Sequence, residues 1–208
     1  MDLPPLLARP GLDRGTRLLV LSQVAIGPAD WTLFDAVLAN ARSERVGRGE
    51  FEEALLQATL FFGFPRLVSA FERLHAAWPA DAPPAGGEVP AERRAAEGRA
   101  LFAAIYGRND AAVRAHLRAL HAGFHDFVLE AAYGRILARP GLPLRTRELL
   151  AVGALAWLRQ VPQLVAHARG ALTFGAARGE VRESIVCALG DVPEVDELLR
   201  RIGRDGGP

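Results

Sequence analysis

The hexapeptide Leu-Ala-Arg-Pro-Gly-Leu occurs twice, at residues 7–12 and again at 137–142. An internal repeat constrains architecture more than any single motif, because each copy must form the same structural unit and bury the same face. At a constant offset of 130, and without a gap, residues 7–55 agree with 137–185 at 15 of 49 positions. The agreements include Thr16/Thr146, Arg17/Arg147, Leu19/Leu149, the Arg-Gly-Glu of 48–50 and 178–180, and Glu53/Glu183. After a two-residue deletion, "PRLVSAFERL" (65–74) falls against "PEVDELLRRI" (193–202).

Each copy reads as helices separated by turn residues. In the second, a Pro-Gly turn leads into a helix over about 144–159, a break at Val161-Pro162 starts a second helix, and Gly175 ends it. A third helix follows with Glu180 and Glu183 in its first turn, where the helix dipole favours acids. Between the copies, "PADAPPAGGEVP" (79–90) reads as a linker, and two further helical patterns occupy 91–107 and 110–137. Val113, Leu117, Leu120, Phe124, Phe127 and Ala131 recur at helical spacing in the latter. The expected class is an all-α helical bundle. The expected division is a first repeat at 1–78, the linker at 79–90, and a second repeat with its preceding helices at 91–208.

Composition narrows function. The formal charge is +1, so no strong field draws the chain to nucleic acid or an anionic membrane. All 25 basic residues are Arg, which removes Schiff-base and P-loop lysines from consideration. A single cysteine, Cys187 in the apolar "SIVCAL", offers neither a disulfide nor a CxxC pair and reads as a buried, inert thiol. No apolar run reaches the roughly 18 residues of a spanning helix, and the start does not read as a signal peptide. The expectation is a cytoplasmic protein with no membrane and no nucleic-acid partner.

Two polar residues stand where the repeat expects apolar packing. Glu148 corresponds to Leu18 of the first copy, and His167 to Val37. The scaffold therefore requires neither charge. An acid desolvated on an apolar helix face suits a proton donor or relay, and histidine is the commonest general acid–base. A first-turn acid favoured by the dipole and a hydrogen-bonded core histidine are the structural alternatives. His121 and His125, at i and i+4 beside Asp126, are compatible with a metal site but lack a third convergent ligand, so no metal is assigned. Trp31, Trp78 and Trp157 read as core or interface anchors.

The frame Glu148, Gln160, Gln163, His167 has the spacing E-x11-C-x2-C-x3-H, with glutamine at both cysteine positions. It resembles the active-site pattern of the alkylhydroperoxidase D/carboxymuconolactone decarboxylase family. "FHDFVLEAAYGRILARPGLPLRTRELLAVGALAWL" (124–158) and "VAHARGALTFGAARGEVRESI" (165–185) are similar to the carboxymuconolactone decarboxylase branch. "GFPRLVSAFERL" (63–74) resembles that family's C-terminal Gly-x-Pro element. The resemblance implies a helical bundle that self-associates, as a homotrimer or hexamer. It implies a small-molecule substrate and no cofactor. It places His125 and Tyr133 at the pocket border, while the needs of decarboxylation make Glu148 and His167 the candidate catalytic residues and Gln160, Gln163, Arg147 and Arg169 the candidate substrate-binding residues.

Peroxidase chemistry in such proteins needs a thiolate that attacks peroxide and a second cysteine that resolves it, and glutamine does neither. The first copy is further removed, with Asp30, Leu33 and Val37 at the Gln, Gln and His places. Decarboxylation of a carboxylated lactone needs no cysteine. It needs a cation for the carboxylate, an apolar pocket and a proton donor. The resemblance thus implies either a lyase acting on a small carboxylated lactone or aromatic-derived metabolite, or a non-catalytic small-molecule-binding or assembly member. For Arg147, a structural salt bridge explains the residue as well as substrate binding does.

Overall fold

The computed structural model describes residues 2–44, 46–80 and 87–204, with Arg204 described in its backbone only. The linker expected at 79–90 falls in part on 81–86, outside the described residues. Every regular element among the described residues is helical: α1 (Leu3–Leu7), α2 (Arg14–Ile26), α3 (Trp31–Ser43), α4 (Arg48–Phe62), α5 (Phe64–Ala77), α6 (Arg94–Tyr106), α7 (Asp110–Leu120), α8 (Ala122–Phe127), α9 (Leu144–Trp157), α10 (Val161–Thr173), α11 (Arg178–Leu189) and α12 (Pro193–Arg204). No helix among the described residues is long and apolar enough to cross a membrane. The chain divides into two compact units, Met1–Pro84 with Arg145–Pro208, and Ala85–Leu144.

In the first unit, α2, α3 and α4 start at Arg14, Trp31 and Arg48, and α9, α10 and α11 start 130 residues later at Leu144, Val161 and Arg178. The turns agree as well. Ala29 (φ 60°) and Arg159 (φ 58°) both adopt the left-handed conformation that non-glycine residues avoid. Each stands one residue before a backbone N–H that donates five residues back, Asp30 to Ala25 at 2.9 Å and Gln160 to Leu155 at 3.0 Å. Asp13 and Asp30 cap α2 and α3 by accepting from Thr16 (2.8 Å) and Leu33 (3.0 Å). At α4 and α11 the third-position acids Glu50 and Glu180 accept from the backbone N–H of Gly47 (2.9 Å) and Ala177 (2.8 Å).

Helices α2 and α9 are buried on every side, at 16–26 and at 146–156 respectively. All-round burial is the mark of a central helix, which needs no polar stripe. The two approach closely where side chains are absent: a Cβ on Gly153 would lie 2.6 Å from Val20 Cγ1, and one on Gly27 would lie 2.8 Å from the Trp157 ring. Around α9, a continuous core joins Leu149, Val152, Leu164, Ala168, Val181 and Ile185 to Val195, Leu198 and Ile202 of α12.

Two arginines sit inside this apolar pair of helices. Arg17 on α2 is fully buried and reaches Glu183 of α11 at 2.9 Å, while Arg147 on α9 is fully buried and reaches Glu53 of α4 at 2.7 Å. The pairs are reciprocal across the 130-residue offset. Arg17 also donates to the carbonyls of Arg9 (3.0 Å), Pro10 (3.2 Å) and Leu12 (3.4 Å), so the guanidinium ties down the Arg-Pro-Gly-Leu turn. Gln57 donates to the Arg147 carbonyl at 2.7 Å, and Cys187, its counterpart at the same offset, lies 3.8 Å from Arg17. Arg9 adds a two-pronged contact to Glu183 at 2.8 and 2.9 Å. Burial alone favours the neutral acid, but the hydrogen bonds from Arg9 and Arg17 outweigh it and hold the Glu183 carboxyl below its ordinary range.

In the second unit, α6 lies against the helix that begins at Ala122. A Cβ on Gly98 would stand 1.9 Å from the Leu129 carbonyl oxygen, and one on Gly134 would stand 2.0 Å from that of Arg94. Only glycine permits these backbones to touch. Phe102 fills the space beside them, stacked on Tyr106 at 4.2 Å and edge-on to Tyr133 at 4.7 Å. The helical spacing over 110–137 predicted one stripe, and the structure breaks it. His121 is extended (φ −169°, ψ 121°), and its ring accepts from Phe124 N–H at 3.1 Å to cap α8. Beyond Phe127 the helix widens to π geometry over Val128–Leu137. The break leaves Leu120, Phe124 and Phe127 exposed, because residues before and after it no longer share one face.

Arg17→Met should destabilise the protein by about 3–5 kcal/mol in denaturant titration, since a buried carboxylate loses a partner. Pairing it with Glu183→Leu should recover much of that loss. Because Glu183 titrates below its ordinary range when folded, its contribution is present above that range and lost as pH falls through it. The acid limb of a stability–pH curve should therefore flatten in Glu183→Gln. Gly134→Ala should cost several kcal/mol or prevent the second unit from folding, because the clash is with backbone rather than with a side chain that can rotate away.

Candidate functional site

Helix α9 carries Glu148 and α10 carries His167, and His167 Nδ1 lies 2.9 Å from Glu148 Oε2. Their side chains are 2% and 8% exposed, so the contact is made in the interior. Leu18 and Val37, their counterparts at the 130-residue offset, are both fully buried. The pair is thus a polar substitution within a core position, and each partner satisfies the other. A carboxylate on Nδ1 orients the imidazole and, when Nδ1 carries the proton, leaves Nε2 to exchange a proton with a reactant.

The other expected residues have contacts of their own. Arg147, immediately before Glu148, turns its guanidinium to Glu53 at 2.7 Å and to Gln57 Oε1 at 3.4 Å. Arg169 donates to the last carbonyls of α12, Ile202 at 3.2 Å and Arg201 at 3.3 Å, a favourable place for a cation at a helix C-terminus. Gln160 and Gln163 are exposed at the start of α10. Gln160 takes the position preceding that helix, where Asp30 caps α3, but it makes no cap bond and donates only to Leu158 O at 3.4 Å. His125 and Tyr133 belong to the second unit. There His125 is buried beside Asp126 (2.8 Å) and Arg118 (3.1 Å), and Tyr133 packs on Phe102.

Sequence reasoning missed the acids that occupy the arginines, although Glu53 and Glu183 were visible as identities of the repeat. An Arg and a Glu that recur together are the signal of a buried pair; spacing alone did not say that each crosses to the other copy. Among the described residues, no group of three or more His, Cys, Asp or Glu is placed to hold a metal. Cys187 is fully buried, and burial, only partly countered by Arg17, pushes its thiol up to about 11. A thiol in that state is a poor nucleophile.

Residues 122–191 match the model of the carboxymuconolactone decarboxylase family. That segment contains Glu148, His167 and the six other residues named from sequence. Among curated proteins, the chain is 26% identical over 189 residues to Peroxisomal protein 2 of Schizosaccharomyces pombe, across 86% of this chain and 87% of that one. It is 34% identical over 67 residues to 4-carboxymuconolactone decarboxylase of Acinetobacter baylyi, across 32% of this chain and 50% of the relative. It is 33% identical over 63 residues to Nitrosuccinic acid decarboxylase npaB of Metarhizium robertsii, across 30% and 44%. The chain thus spans half or less of the length of the two decarboxylases it matches.

With a thiol pushed up to about 11 and shielded from solvent, Cys187 should stay silent to a colorimetric thiol reagent in the native protein. It should react fully only in denaturant. Fast labelling of the folded protein would contradict the inert assignment.

Proposed function

We propose that this chain is a carboxymuconolactone decarboxylase-like lyase acting on a small carboxylated lactone or aromatic-derived metabolite, with His167 as proton donor and Glu148 as the group that orients it. The observation that carries the reading is the 2.9 Å contact between His167 Nδ1 and Glu148 Oε2, held in the core where the scaffold accepts aliphatic residues. In the reaction, the bond between the ring carbon and the carboxylate breaks and CO2 departs. The electron pair delocalises into the conjugated lactone carbonyl, and His167 returns a proton to carbon before recovering it from solvent. The low-polarity surroundings favour loss of the charged carboxylate. We further propose a cytoplasmic protein that self-associates as a homotrimer or hexamer, with the first sequence repeat serving as the structural partner of the second. Thiol peroxidase chemistry lacks its attacking and resolving cysteines, because glutamines stand at both places, and Cys187 is buried.

A second reading, a non-catalytic small-molecule-binding or assembly role, draws on the commitment of Arg147 to Glu53 and of Arg169 to the end of α12. Screening carboxylated lactones, 4-carboxymuconolactone among them, for CO2 release separates the two. The lyase reading expects turnover that falls about 100-fold or more in His167→Ala and about tenfold in Glu148→Gln, the usual range for a general acid and its orienting group. Unchanged turnover in His167→Ala would overturn the assignment, and saturable binding without turnover would establish the second reading.

A further inference from the structure

The second unit contains a cleft of about 310 Å³, whose lining includes neither Glu148 nor His167. Arg99 of α6, Arg114 and Arg118 of α7, and His125 of α8 line it, and Ala95, Ala111 and Ala115 leave it open between the longer side chains. Arg114 and Arg118 share one face of α7 at i and i+4. The three arginines precede residue 122 and so fall outside the segment that matches the family.

The partners already present divide these cations. Arg114 is neutralised by a two-pronged bond to Asp110 at 2.8 and 2.5 Å. Arg99 donates through Nε to the Ala95 carbonyl at 3.3 Å and lies near enough to Asp126 for their charges to interact. Arg118 has a long contact to Asp126 at 3.4 Å and a second, at 3.1 Å, to His125 Nδ1.

That second contact is in conflict with a third. His125 Nδ1 also lies 2.8 Å from Asp126 Oδ1. One ring nitrogen cannot accept from a guanidinium and donate to a carboxylate at the same time. If Nδ1 carries the proton, Arg118 faces an N–H; if it is bare, Asp126 faces a lone pair. Donation from Nδ1 to Asp126, which Arg118 also approaches at 3.4 Å, settles the ring and leaves the other amino N–H groups of Arg118 to an oxyanion in the cleft. Asp126 and Glu130 line the same cleft and set an upper limit on the charge it accepts, which favours a small ligand over a polyanion.

We propose that this cleft is a binding site for a small oxyanion, a carboxylate or a phosphate group, held by the guanidinium groups of Arg99 and Arg118 with His125 beneath it. The proposal is independent of the lyase reading.

The test titrates the full chain with sodium malonate and, separately, with sodium phosphate, chloride holding ionic strength constant. Long-range nitrogen–proton NMR follows the ring nitrogens of His125. A saturable response that leaves Nδ1 protonated is expected for at least one probe; malonate alone identifies a carboxylate site, phosphate alone a phosphate site. Arg99→Gln with Arg118→Gln should weaken binding by about tenfold or more, the loss expected on removing a charge-assisted hydrogen bond. Ala115→Leu, at an exposed position, should block the cleft while leaving both arginines in place. A linear drift that chloride reproduces, or saturation unchanged in the double variant, would overturn the proposal. Should a variant fail to fold, saturation against drift in the wild-type chain decides.

Discussion

Two arginines buried in the two most buried helices set the terms for the rest of the first unit. Neither α2 nor α9 has a polar side on which to place a charge. Each guanidinium is therefore neutralised from the opposite copy of the repeat, Arg17 by Glu183 and Arg147 by Glu53. An uncompensated charge in such a place is far more costly than a missing methyl group. Once the two pairs form, α4 is held to α9 and α11 to α2. Arg17 also draws the carbonyls of its own Arg-Pro-Gly-Leu turn inward. Repetition of Arg-Pro-Gly-Leu, of Thr-Arg and of the later Glu is the sequence trace of this single device.

The Glu148–His167 pair is set into the same framework. Position 148 follows the buried Arg147, and 167 lies on the helix that packs beside it. In the first copy Leu18 and Val37 hold those places with no loss of helical order. A framework that tolerates aliphatic residues does not need the pair for stability, which is what separates it from Arg147–Glu53. The same comparison reassigns Arg147 itself: an arginine present in both copies, with an acid present in both, belongs to the fold.

Much of this was legible in the chain. Period and turn chemistry placed α9, α10 and α11 within a residue or two of their limits, because Pro162, Gly175 and the first-turn acid Glu180 act through local backbone geometry. The relation of Glu148 to His167 was legible only as a likeness of spacing, since nineteen residues of separation across a turn do not specify a distance. The break at His121 was not legible. A histidine ring that caps a helix competes with continuation of that helix, and apolar periodicity carries no sign of the competition. The cleft of Arg99, Arg114 and Arg118 was missed for a related reason. It depends on Gly98 and Gly134 allowing α6 to touch its neighbour, and contact between separate helices has no period.

By itself the sequence determined that the chain is helical, that it repeats at an offset of 130, that its thiol chemistry is absent from the expected positions, and which two polar residues break the repeat. These follow from local rules, in which each residue acts on its near neighbours or is compared with its counterpart. Only the tertiary structure decided which charges face each other. It sent Arg147 to Glu53 and Arg169 to the end of α12, brought His167 to Glu148, and turned Arg99 and Arg118 to one cleft. Electrostatic pairing depends on distances through space and on burial, and neither quantity is written in the order of the residues.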